Sequence, residues 1–181
     1  MPRIPYLTDA QVGPPELVAA IQARRQGPLV ELDRILLHSP AVAEGWNAFF
    51  AHIRGRLDLP AHPRELAMCA VAMLNGAEYE LFHHAPLFLA AGGTPMQVGL
   101  LRRLGTEADA VLSSPLWSDT DRALLRAVVQ STRQVSIDDS TFAAARTALG
   151  SDRLLLELLT VTAAYNMVSR LLVAFEVLPQ S

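Results

Sequence analysis

Nine consecutive apolar residues, Leu66 to Leu74, set the first condition on how this chain folds. Pro63 stands just before the run and Asn75-Gly76 just after it, a start and a stop in the language of helices. The run is less than half the roughly 20 residues that a membrane-crossing helix requires. A helix apolar on every side cannot lie on a surface, because some part of it would then face water. It needs neighbours all round, so the rest of the chain should wrap it.

The remaining sequence supplies helices for that purpose. ELVAAIQARR (16–25) is helical in pattern and stopped by Gly27-Pro28, and a shorter helix is expected over 29–37. Ser39-Pro40 reads as an N-cap and first helical residue, opening a helix that carries Trp46, Phe49, Phe50 and Ile53. The apolar helix is expected to begin at Pro63, with Glu65 in its first turn, where a carboxylate complements the helix dipole. A helix bearing Glu80 and His84 follows, interrupted by Pro86 and closed by Gly92-Gly93. Thr94-Pro95-Met96-Gln97 is a capping box that pins the next helix to 95–104. Beyond a connector over 106–118, helices are expected from Asp119 to near Arg133, from Ser136 to Gly150, and from Ser151 to near Val177. No stretch alternates as a strand does. The expected fold is all-α with no β-sheet: an irregular arm over 1–15, broken by Pro2, Pro5, Gly13, Pro14 and Pro15, then a single domain over 16–181.

Composition narrows the function classes. Apolar residues make up 51% of the 181 and charged residues only 18%, which points to surface buried by self-association. Net charge is −3, and the 15 basic residues are all arginine without a basic cluster larger than Arg24-Arg25 or Arg102-Arg103. No nucleic-acid partner and no membrane partner is expected on these grounds. No signal-like segment opens the sequence, so a cytoplasmic location is expected. The single cysteine, Cys69, excludes an intramolecular disulfide and a CxxC redox pair. Placed mid-run, it reads as a buried, inert thiol.

The chemistry-bearing residues gather in Glu65–Gly93. Glu80, His84, Leu87 and Ala91 share one helical stripe, and Leu81, Phe82, Ala85, Phe88 and Leu89 form what reads as the ordinary core face. At i, i+4 a carboxylate can fix the tautomer of an imidazole and raise its basicity, which general acid–base catalysis uses. Spacing alone favours the commoner outcome, a solvent-exposed helical pair contributing roughly 0.2–0.5 kcal/mol. Glu80-x-x-His83 has the spacing of one di-iron half-motif, but the second half is missing, so no metal is expected. On the last helix Tyr165, Asn166, Ser169 and Arg170 place polar groups in apolar sequence. They suit buried backbone bonds, a subunit contact or an anionic substrate.

These residues also resemble a family. The peroxidase branch of the carboxymuconolactone decarboxylase / alkylhydroperoxidase D-like superfamily carries a Glu, then two cysteines and a His at fixed spacing. Counted from Glu65, those positions fall on Ala77, Glu80 and His84, so the Glu and His are kept and both cysteines are replaced. The decarboxylase branch shows a Gly followed by Glu-Leu-x-x-His, similar to Gly76 and Glu80-Leu81-Phe82-His83-His84. AAGGTPMQV continues the likeness, with a motif core at 64–100, and weaker similarity extends over most of 29–178. The resemblance implies an alkylhydroperoxidase D-like helical fold, assembly as a homo-oligomer (dimer, trimer or hexamer), and a site rather than a solvated face at Glu80 and His84. It implies a cofactor-independent decarboxylase-type lyase acting on a small carboxylated lactone or conjugated acid. His84 would be the proton shuttle, Glu80 its orienter and Glu65 a second carboxylate. His83, Tyr165, Arg170 and Trp46 are the candidates for substrate binding. Peroxidase chemistry through Cys69 and a non-catalytic oligomeric role are the alternatives, the first disfavoured because a resolving thiol is missing.

Overall fold

The computed structural model describes residues 2–179. Position 1 of the expected arm and positions 180 and 181 of the expected domain lie outside them. Among the described residues there are ten α-helices and no strand, in accord with the all-α expectation. The chain divides into two compact units, one running up to Leu57 and resumed from Ala174, the other Asp58–Val173.

The first unit holds α1 (Pro15–Arg25), α2 (Glu31–Leu36) and α3 (Pro40–Gly55), with α3 packed on both others. Its core is Ile21, Leu32, Ile35, Leu36, Ala43, Trp46, Phe50 and Ile53. Asp33 is buried among them and paired with Arg24 and Arg25, and it also accepts the backbone N–H of Val30 at 3.0 Å, capping α2. The residues before α1 form no regular structure but are tied down. Arg34 reaches the Leu7 carbonyl at 2.7 Å and Asp9 at 2.6 Å, and the backbone N–H of Arg3 donates to the Phe175 carbonyl at 2.9 Å.

The second unit holds α4 (Ala61–Leu74), α5 (Glu78–Ala90), α6 (Pro95–Leu101), α7 (Ala108–Leu112), α8 (Asp119–Gln134), α9 (Asp139–Leu149) and most of α10 (Asp152–Phe175). Here the opening condition is met. Every residue of α4 from Glu65 to Met73 is buried, and α5, α6 and α8 pack against it. The helix begins at Ala61, two residues before the expected start at Pro63, which places Glu65 beyond the first turn. Thr94 forms the capping box with Gln97, though α6 stops at Leu101 rather than 104. Ser118 caps α8: its hydroxyl accepts the Asp121 N–H at 3.0 Å. Asp138 caps α9 in the same way, and Gly150 ends it in the left-handed region.

Helix α10 is long and apolar enough to cross a membrane by length and composition, although half of its most apolar stretch is buried within the protein. Its polar side chains bind the second unit. Glu157 accepts the Leu59 N–H at 2.7 Å, and Asn166 joins Asn75 and Thr132 at 3.0 Å each.

Candidate active site

The turn between α4 and α5 decides where the chemistry goes. Asn75 ends α4, and Gly76 takes a φ of +69°, a conformation that glycine adopts without a Cβ penalty. The Gly76 N–H then donates to the Met73 carbonyl at 3.4 Å and the Ala77 N–H to the Ala72 carbonyl at 2.8 Å. Those two bonds are a Schellman motif, which satisfies carbonyls that the helix end leaves open. The chain re-enters a helix at Glu78, and α5 packs along α4.

Along α5 the buried stripe is Ala77, Glu80, Leu81, His84 and Phe88, spaced as one helix face. The sequence assigned Phe82 and Leu89 to the core; they are 54% and 39% exposed instead. Packing against α4 selects the face with Leu81 and Phe88 at its centre, and that face carries the carboxylate and the imidazole inward with it. Glu80 and His84 are therefore not the exposed pair that their spacing alone favours.

Three helices contribute to the cluster. Glu65 of α4, Glu80 and His84 of α5 and Tyr165 of α10 are 4%, 5%, 1% and 2% exposed. His84 Nδ1 lies 2.6 Å from Glu65 Oε2, and His84 Nε2 lies 2.9 Å from the Tyr165 hydroxyl and 3.3 Å from Glu80 Oε2. The Tyr165 ring meets the imidazole edge to face, with centroids 4.9 Å apart and planes at 86°. Arg64 stands at the outer oxygen of Glu65, its Nε 3.4 Å from Oε1. Tyr165 reaches this point because it lies in the core stripe of α10 with Leu158, Val161, Val168 and Leu172. The contact orders differ from expectation in one respect. The shorter carboxylate contact belongs to Glu65, nineteen residues away, rather than to Glu80 one helical turn away.

Burial penalises a charged imidazole, but hydrogen bonds and the charges of Glu65 and Glu80 outweigh it, and the pKa of His84 is raised. When protonated, the ring donates Nδ1–H to Glu65 and Nε2–H toward Tyr165 and Glu80. Such a group holds a proton in a dry site, ready to give. The same carboxylates act oppositely on Cys69. Its thiol has no exposed surface, and burial, followed by the charges of Glu65 and Glu80, pushes it up to about 12. A thiolate does not form there under ordinary conditions.

The other residues singled out from the sequence stand elsewhere. His83 is exposed, with its ring 4.5 Å from that of Tyr79 by centroid. Arg170 is exposed and turned back on its own helix, donating to the carbonyl and the side chain of Asn166 at 2.9 Å each. Trp46 belongs to the first unit, where it is buried and stacked on Phe50 at 4.6 Å. Among the described residues no group of three His, Cys, Asp or Glu side chains is placed to hold a metal ion. At His84 the reason is geometric: the two carboxylates address opposite ring nitrogens, so no single point is within ligand distance of all three. One pairing has no signal in the sequence. His62 Nε2 lies 2.9 Å from Asp121 Oδ1, across 59 residues without any motif, and joins the start of α8 to α4.

Residues 40–114 match the model of the carboxymuconolactone decarboxylase family. That segment contains Glu65, Glu80 and His84 but not Tyr165. No curated protein matches the chain. An uncharacterised peroxidase-related protein from Silicibacter sp. TM1040 superposes with a TM-score of 0.76 at 19% identity, over 99% of this chain and 94% of that one. The alkylhydroperoxidase AhpD core of an uncharacterised peroxidase-related protein from Ralstonia eutropha JMP134 gives 0.79 at 16% identity, over 99% and 93%. The apo debrominase Bmp8 gives 0.74 at 16%, over 97% and 90%. The fold is the alkylhydroperoxidase D-like helical fold, and the family resemblance read from the motif core is borne out.

Proposed function

From a chain whose central segment matches the carboxymuconolactone decarboxylase family, we propose a cofactor-independent acid–base enzyme that decarboxylates a small carboxylated lactone or conjugated acid. The observation that carries this reading is the buried His84 held between two carboxylates, with Glu65 2.6 Å from Nδ1. Loss of CO2 beside a conjugated carbonyl leaves an electron pair that the carbonyl absorbs, so no organic cofactor is needed. The step then requires a proton donor at carbon and exclusion of water. His84 supplies the proton. Glu65 fixes its orientation, and both carboxylates keep it charged. Self-association is part of the proposal, supported by large exposed apolar side chains such as Phe82, Met96 and Leu156. Two of the similar structures are named peroxidase-related, but the thiol such chemistry would use here is buried and its pKa is pushed up to about 12.

The test is CO2 release from carboxymuconolactone, the compound for which the family is named, by the wild type and by His84→Asn. Asparagine keeps an amide donor facing Glu65. Alanine would leave two buried carboxylates uncompensated, at a cost of about 3–5 kcal/mol. Turnover should fall about 10²–10⁴-fold in His84→Asn while the helical circular dichroism is retained. In the wild type, turnover should decline as pH rises through the raised pKa of His84, because the proton-bearing form is the active one. Undiminished turnover in His84→Asn would reject the assignment. Inertness of the wild type toward this acid and its lactone relatives would favour a structural role for the cluster.

A further inference from the structure

Both ring nitrogens of His84 are engaged within the protein, Nδ1 by Glu65 and Nε2 by Tyr165 and Glu80. A proton leaving the imidazole must therefore pass through one of the groups at Nε2. We propose that Tyr165 is that group, the catalytic acid that meets the substrate, with His84 recharging it from behind. This rests on the acid–base reading above and names the atom through which that site acts.

Two observations select Tyr165 over Glu80. Its hydroxyl is nearer to Nε2, at 2.9 Å against 3.3 Å. A phenol hydroxyl can accept from Nε2 and at the same time donate its own hydrogen onward. Glu65, His84 and Tyr165 then form a carboxylate–imidazole–hydroxyl relay with the logic of a hydrolase triad, run in the acid direction.

The step balances as follows. The bond from the substrate carbon to its carboxylate breaks, CO2 departs, and the electron pair moves into the conjugated carbonyl. The carbon takes the Tyr165 O–H proton, forming a C–H bond. The phenolate takes the Nε2 proton of His84, and the neutral imidazole is reprotonated from water once product leaves. No oxidant or reductant takes part.

A small aryl sulfonyl fluoride tests the assignment without needing the natural substrate. The Tyr165 oxygen attacks sulfur, the S–F bond breaks, fluoride leaves, and the phenol proton passes to neutral His84. The chain has three tyrosines, Tyr6, Tyr79 and Tyr165, so peptide mass spectrometry resolves the site, and buried Tyr79 is an internal control outside the relay. Tyr165 should label at least tenfold faster than Tyr79, above the raised pKa of His84, and this advantage should vanish in His84→Asn. In parallel, Tyr165→Phe should lower turnover of carboxymuconolactone about 100-fold or more with an unchanged melting temperature. A folded wild type whose Tyr165 labels no faster than Tyr79 overturns the proposal. So does a fully active Tyr165→Phe alongside an inactive His84→Asn, which would route the proton through Glu80 and leave the acid–base reading standing. Full activity in His84→Asn would instead remove the underlying reading.

Discussion

Charge on His84 is costly where the ring is buried, and the two flanking carboxylates favour it nonetheless. An isolated buried imidazolium would lose its proton; with Glu65 and Glu80 in contact its pKa rises instead. The same field has the opposite consequence one turn along α4. Cys69 lies four residues after Glu65, buried, and negative charge nearby disfavours a thiolate. Treated with a hydroperoxide, the folded protein should keep Cys69 as the free thiol by intact-mass spectrometry, while the unfolded chain oxidises. Rapid formation of a sulfenic or sulfinic acid in the folded state would show that this field is misjudged. These two residues also mark how far the sequence could be read. The inertness of Cys69 follows from its apolar neighbours alone. The closeness of Glu65 to His84 does not, because residues nineteen apart meet only once two helices have packed. Only the family frame pointed to that contact.

Helix ends were the most legible features, because their chemistry is local. Thr94 with Gln97, Gly150, and Asn75-Gly76 all terminate or start helices where the sequence placed them. Which face a helix buries is not local, and α5 shows this. Leu81, Phe82, Phe88 and Leu89 are equally apolar, and contact with α4 decides that Leu81 and Phe88 go inward. The α4–α5 turn fixes that choice, so Gly76 should matter beyond its size. Gly76→Ala forces a Cβ into the left-handed region at a cost of about 1–2 kcal/mol. Chemical denaturation should record that loss, accompanied by reduced turnover, since Glu80 and His84 hang from this turn. Unchanged stability would mean that the turn relaxes without strain. At Gly93 the constraint is space rather than backbone: an added Cβ would lie 2.5 Å from the Phe88 ring.

Taken together, the chain builds its candidate site from α4, α5 and α10, and the family segment at 40–114 covers only the first two of these. Tyr165 arrives from 81 residues beyond His84, on a helix whose polar residues read equally well as backbone partners or as a subunit contact. The all-α class and the central place of α4 were legible because periodicity and burial follow from composition along one helix. The boundary at Leu57–Asp58 falls in the break between α3 and α4, which Gly55, Pro60 and Pro63 mark in the sequence. The proposed relay depends on the folded chain and on a protonated histidine in a buried place. Nitrogen-15 NMR of the His84 ring, titrated in the wild type and in Glu65→Gln, tests this most directly. Both ring nitrogens should carry protons at neutral pH and lose one only above the ordinary value of 6.5, with the transition moving to lower pH in Glu65→Gln. A neutral ring at neutral pH in the wild type, or a titration indifferent to Glu65, would contradict the account.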